Sequence, residues 1–155
     1  MAKTCDYTSV GMIVRKGGKI LLIERANFPK GFAAPAGHVD GDATYEDAAR
    51  RELEEEVGLK TDELKLVAEG KRNNPCKREG GSWHHWKVYQ VEAAGDVHRS
   101  LEETKQVNWY TIEQINAFAQ KTEKYVRGEI AEDAWNAAPG LEPIWYDWFK
   151  ELQII

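Results

Sequence analysis

Residues 37–59 read Gly37-His38-Val39-Asp40-Gly41-Asp42-Ala43-Thr44-Tyr45-Glu46-Asp47-Ala48-Ala49-Arg50-Arg51-Glu52-Leu53-Glu54-Glu55-Glu56-Val57-Gly58-Leu59, a glycine-bearing loop that runs into a carboxylate-rich helix. Residue chemistry sets the limits of that helix. Thr44 and Asp47 have the spacing of an N-terminal cap, the hydroxyl accepting from backbone N–H groups and the acid sitting in the positive first turn. Gly58 is a natural stop after Val57. Between them Ala49, Leu53 and Val57 form an apolar stripe with Tyr45 near its edge, and such a stripe faces a core. Glu52, Glu55 and Glu56 converge on another sector of the same helix.

Like charges three and four residues apart on a helix cost about 0.2–0.5 kcal/mol per pair, so something should offset the repulsion. A hard divalent cation would, because Mg²⁺ takes oxygen ligands and commonly combines one or two carboxylates with waters and substrate phosphate oxygens. The plain alternative is that Glu54-Glu55-Glu56 is a solvated surface face, which is the usual meaning of a short acidic run. What shifts the balance is the conjunction of loop, cap, Arg51-Glu52 pair, acidic face and terminating Gly58.

By these residues the segment resembles the Nudix box, in which a Gly and then a Glu precede Arg-Glu-aliphatic-any-Glu-Glu-any-Gly-aliphatic. Gly37, Arg51, Glu52, Leu53, Glu55, Glu56, Gly58 and Leu59 stand on that pattern in register. The first Glu of the pattern falls on Ala43, while Asp42 and Glu46 lie beside it, and Ala36 stands where a second Gly is common. The resemblance implies an α/β fold, an α/β/α sandwich around a mixed β-sheet, and hydrolysis of a diphosphate bond with Mg²⁺ or Mn²⁺. It also implies that Glu52, Glu55 and Glu56 bind the metal with the Gly37 carbonyl, and that Arg51 braces the helix. Asp42 is the candidate partner for Arg51 in place of the missing Glu. The general base is often drawn from outside the box, and Glu102 and Glu103, ahead of a later strand, are candidates for it.

The 155 residues are 42% hydrophobic and 30% charged, the profile of an ordinary globular domain, and residues 1–155 are read as a single one. No apolar stretch has membrane-spanning length, and no secretory leader pattern opens the chain. Cys5 and Cys76 read as scattered thiols without metal-ligand spacing, which points to a reducing compartment, with the cytoplasm as the expectation. A net charge of −5 argues against stable nucleic-acid binding.

Thr8 to Val14 and Lys19 to Ile23 are β-branched runs separated by Lys16-Gly17-Gly18-Lys19, a hairpin signature. Glu63 to Gly70, Trp83 to Ala93 and Val107 to Tyr110 read as further strands, with a polar loop from Arg72 to Gly81. Residues from about 111 to 155 read as an added C-terminal helical segment, begun by the cap signature Thr111-Ile112-Glu113-Gln114 and resumed at Pro143. Ile144, Trp145, Trp148, Phe149 and Leu152 follow helical spacing there. Such aromatics, and Trp135 with them, belong more often to a core than to a ligand box, and a homodimer interface is the alternative.

Candidate substrate contacts are Arg25 at a strand end, Phe28 and Phe32 in the loop before the box, and Trp83. A basic group of Lys71, Arg72, Lys77 and Arg78 around the polar loop could reach phosphates. His84 and His85 are adjacent on a strand, so they point to opposite faces and read as ordinary hydrogen-bonded histidines. The reading favoured is a metal-dependent hydrolase of a small nucleotide derivative, either a nucleoside diphosphate linked to another moiety or a nucleoside triphosphate. The alternative is a catalytically silent nucleotide-binding or regulatory module on the same fold, motivated by Ala43.

Overall fold

The computed structural model of the chain describes residues 3–155. Strand β1 (Thr8–Lys16) turns into β2 (Lys19–Arg25), with Lys16 opposite Lys19. The two-residue turn needs positive φ at both positions, which Gly17 at 57° and Gly18 at 76° supply without a Cβ clash. The short strands β3 (Phe32–Ala33) and β4 (Ala36–Gly37) follow and lead into helix α1 (Tyr45–Val57). Then come β5 (Leu64–Arg72), β6 (His84–Val91), β7 (Thr104–Thr111), α2 (Ile112–Val126), α3 (Glu132–Ala137) and α4 (Pro143–Glu151).

The strands make one seven-stranded mixed sheet. The first half of β1 lies between β4, antiparallel, and β6, parallel, while its far end pairs with β2. The β2 strand in turn carries β7 along its length and β3 at its end. A parallel pair needs a long crossover, and α1 supplies it between β1 and β6.

Alternation along β6 assigns the two faces. Tyr89 donates to Glu46 of α1 at 2.7 Å and Tyr45 of α1 donates to the His85 carbonyl, so that face is covered by α1. On the other face Trp86 meets Trp145 and Trp148 of α4 edge-on, with centroids 5.6 and 6.0 Å apart. The close approach of α4 depends on Gly11, since a Cβ there would lie 2.4 Å from the Trp145 ring. Helices on both faces of a mixed sheet make the α/β/α sandwich expected from the sequence.

The apolar stripe of α1 is buried as its spacing predicts, with Ala49, Leu53 and Val57 at 0% exposure. Thr44 caps the helix by accepting from Asp47 N at 3.0 Å, and Gly58, at φ 72°, ends it. Thr111 and Gln114 form the reciprocal cap of α2, and Pro143 opens α4. Trp135, Trp145 and Trp148 are buried within their own chain, so the core reading of these aromatics holds and they offer no face to a partner. The six-residue α3 has no side-chain cap and no period long enough to read; Trp135, stacked on Tyr125 at 3.9 Å, is what anchors it. Among the described residues no helix is long and apolar enough to cross a membrane.

Candidate active site

Arg51 ties the loop to the helix. Its Nε donates to Asp42 Oδ2 at 2.8 Å and its Nη2 to the His38 carbonyl at 2.9 Å. Its Nη1 donates to Glu52 Oε1 at 2.7 Å and to Glu55 Oε2 at 3.2 Å. These bonds raise the guanidinium pKa further still, against the cost of its partial burial. Ala43 is exposed, and Asp42, one residue earlier, holds the contact that a Glu at 43 would be expected to make.

The carboxylates of α1 separate by environment. At about 100° per residue, Glu56 falls about 40° from Glu52 toward the apolar stripe and Glu55 about 60° to the other side. Glu52 and Glu56 are accordingly buried, at 8% and 3% exposure, whereas Glu55 is exposed and held by Arg51. Burial pushes the Glu52 carboxyl up to about 7 in spite of the opposing charge of Arg51. Glu56 is raised well above the usual range, by burial first and then by the charge of Glu52, although its Oε1 accepts from Ala36 N at 2.9 Å.

The third convergent carboxylate comes from Glu103. Its segment is pinned to the C-terminal end of α1, where His98 N and Ser100 N donate to the carbonyls of Val57 and Glu56, both at 2.8 Å. These bonds satisfy carbonyls left open where the helix ends. They also deliver Glu103, so that oxygens of Glu52, Glu56 and Glu103 lie within 4.8 Å of one another. Two buried carboxylates, of which Glu52 is bonded to Arg51, and a third at the rim form a hard-oxygen donor set that fits a divalent cation. Gly37 backs the group so closely that a Cβ on it would fall 2.1 Å from Glu52 Cδ.

A cleft opens over this group, walled by Gly37, Glu52, Glu56 and Glu103 on one side and by Asn74, Pro75, Cys76, Lys77 and Arg78 on another. Arg25 lines it too, its Nε donating to the Pro29 carbonyl at 2.7 Å and lying 3.9 Å from the buried Glu142. A second, less polar cleft adjoins through Pro29, Asn74, Pro75 and Glu142, and Phe28, Tyr125, Asn136 and Asp147 line it. Phe28 is 55% exposed there.

The basic group read from the polar loop is divided by the structure. Lys77 and Arg78 reach the cleft, Arg78 being bound to Asp40 at 2.6 and 3.1 Å. Arg72 instead lies over the Trp148 ring at 4.1 Å and pairs with Glu151 at 2.5 Å, so it is spent on the helix α4. Trp83 stacks on Tyr7 at 4.4 Å with Lys71 over its ring, and neither residue lines the cleft. Phe32 is buried against Phe118 rather than facing ligand. Glu102 offers its backbone to Asn27, and its side chain is outside the carboxylate group. The wall of the second cleft was not foreseen, because Tyr125, Asn136 and Asp147 reach it only through the fold of the C-terminal segment.

A NUDIX domain model matches residues 7–133. An ADP-ribose pyrophosphatase of Methanocaldococcus jannaschii is 31% identical over 121 residues, covering 77% of this chain and 70% of that protein. A Caenorhabditis elegans relative named as a nudix hydrolase is 28% identical over 118 residues, covering 72% of this chain; the match spans 30% of that longer protein. Among solved structures, a NUDIX-family hydrolase of Clostridium perfringens superposes with a TM-score of 0.66 at 15% identity, covering 96% of each chain.

Proposed function

Because the chain belongs to the Nudix family, we propose that it is a divalent-metal-dependent pyrophosphohydrolase that opens a phosphoric anhydride bond in a small nucleotide derivative. The observation that carries this reading is the convergence of Glu52, Glu56 and Glu103 beneath a cleft with basic residues on its wall. Glu52 and Glu56 would hold Mg²⁺ or Mn²⁺, with the Gly37 carbonyl beside them. A cation bound there supplies charge neutralisation at the phosphoryl oxygens and acidifies water.

The other parts of the reaction fall to the chain's own residues. Glu103, the exposed member of the group, accepts the proton of the attacking water as its oxygen bonds to phosphorus and the anhydride P–O bond breaks. Lys77 and Arg78 bind phosphate oxygens, and Arg25 adds positive charge at the cleft floor. Glu55, the third box carboxylate read as a ligand, is exposed beside Glu52 and shares Arg51 with it, so one guanidinium orients both carboxylates toward the metal. Phe28 and Tyr125 in the adjoining cleft offer faces to the organic part of the substrate.

A nucleoside diphosphate linked to a second moiety suits two adjoining clefts better than a nucleoside triphosphate, and the ADP-ribose pyrophosphatase relative makes ADP-ribose the first compound to try. The two free thiols support a reducing location such as the cytoplasm. The test is a Mg²⁺ and Mn²⁺ assay over ADP-ribose, nucleotide sugars, dinucleoside polyphosphates, NADH and nucleoside triphosphates, with products identified by mass spectrometry. Turnover of ADP-ribose or a related dinucleotide is expected. Tight binding by calorimetry with no hydrolysis of any compound would replace this reading with that of a silent regulatory module.

A further inference from the structure

Beyond the carboxylates, a chemically different group of side chains gathers at the cleft. Cys5, His38, Cys76 and His84 each bring one ligating atom to within 4.8 Å of the others. Their spacing in the chain concealed this: Cys5 and Cys76, read as scattered thiols, are brought together by the fold, with His84 beside them. Cys5 precedes β1 and is held by its N–H to the Glu79 carbonyl at 2.9 Å, beside the loop that carries Cys76. Cys76 is turned inward by its own N–H bond to the Gly81 carbonyl, and a Cβ on Gly81 would lie 2.1 Å from the Cys76 sulfur. His84 opens β6, and His38 follows β4 in the box loop.

The distances suit a tetrahedral metal. Cys5 Sγ lies 3.4 Å from His84 Nε2 and 3.6 Å from His38 Nε2. Zinc bonds of about 2.3 Å to sulfur and about 2.0–2.1 Å to nitrogen, set at a tetrahedral angle, put the two ligands about 3.6 Å apart. Cys5 Sγ also accepts from Tyr7 N–H at 3.3 Å, the kind of outer contact that stabilises a metal-bound thiolate. On the far edge of the His84 ring, Nδ1 is buried without a hydrogen bond.

We propose that Cys5, His38, Cys76 and His84 form a closed four-ligand zinc site, separate from the carboxylate site. Two thiolates and two imidazoles are a donor set that selects zinc over Mg²⁺, and with all four positions filled by protein the ion is structural. It would fasten the segment before β1, the β5–β6 loop and the box loop to one point. The box loop matters most, because the His38 carbonyl is an acceptor of Arg51 and Gly37 backs Glu52.

The test begins with the full chain purified under reducing conditions without chelator and analysed for metal by mass spectrometry. One zinc ion per chain is expected, and replacement with Co²⁺ should give tetrahedral ligand-field bands together with a thiolate-to-cobalt charge-transfer band. Both cysteines should resist a thiol reagent until a chelator is added. Cys76→Ser and His84→Ala should lose the zinc, while Glu56→Gln keeps it. Should those two variants fail to fold, the cobalt spectrum and the thiol protection of the unaltered chain still decide. Absence of zinc after reconstitution, a cobalt spectrum without sulfur charge transfer, or a metal-free protein with a Cys5–Cys76 disulfide would each overturn the proposal.

Discussion

Arg51 Nε donates to Asp42 Oδ2 at 2.8 Å, so a single guanidinium on α1 fastens the loop that leads into it. The side chains of the pair are 29% and 26% exposed, which limits what the contact adds to stability. Asp42→Ala should cost about 1 kcal/mol in denaturant unfolding. Turnover should fall further than that loss implies, because the loop bearing Gly37 and His38 is loosened. Adding Ala43→Glu to Asp42→Ala should recover part of the turnover; a double variant no better than Asp42→Ala alone would show that position 43 cannot reach Arg51.

Glu56→Gln removes a buried charge and keeps the shape of the side chain. Turnover in Mg²⁺ should fall by about 10²–10³-fold, the scale seen when one preorganised electrostatic contact is lost. Thermal stability without metal should be equal or higher, since Gln needs no compensating cation. Near-normal turnover would remove Glu56 from the metal shell.

Glu103 and Glu102 are neighbours with different surroundings, and only Glu103 meets the buried carboxylates. Glu103→Gln should lower kcat by about 10²-fold, with the base-dependent limb of the pH–rate profile lost. Glu102→Gln should leave both kcat and the profile as they are. Equal losses in the two variants would place the base elsewhere.

The folded chain holds Glu52 protonated up to about 7, against an ordinary value of 4.5. A raised carboxyl pKa means the native state binds the proton more tightly, so its contribution favours folding at low pH and is lost as pH rises through that window. His38, lowered by burial to about 4 from 6.5, acts in the opposite sense over the acid part of the range. The comparison is therefore wild type against Glu52→Gln, both without divalent metal. Between about pH 4.5 and 7 wild type should lose about 3 kcal/mol relative to the variant. Mg²⁺ should restore much of that loss at the upper end. Parallel stability curves would show that Glu52 ionises normally.

Much of the fold was legible because its signals are local. The glycine pair at Gly17-Gly18 specifies its turn through positive φ, and Thr44 and Gly58 bound α1 through backbone groups a few residues away. The helical period of α1 even contains the burial difference between Glu55 and Glu56, since the apolar stripe lies nearer Glu56. The short α3 carried no such signal, and its position depends on Trp135 finding Tyr125.

By itself the sequence determined the box, its caps, the hairpin, the five longer strands β1, β2, β5, β6 and β7, and the helices α1, α2 and α4, all products of spacing within one turn or one strand. The tertiary structure alone decided which side chains share a site. Glu103 joins Glu52 and Glu56 because its segment caps the end of α1, and Arg72 is withdrawn from the cleft by Trp148 and Glu151. Cys5 meets His84 across 79 positions of chain. Contacts between residues so far apart arise from how sheet and loops pack, and local periodicity holds no record of that packing.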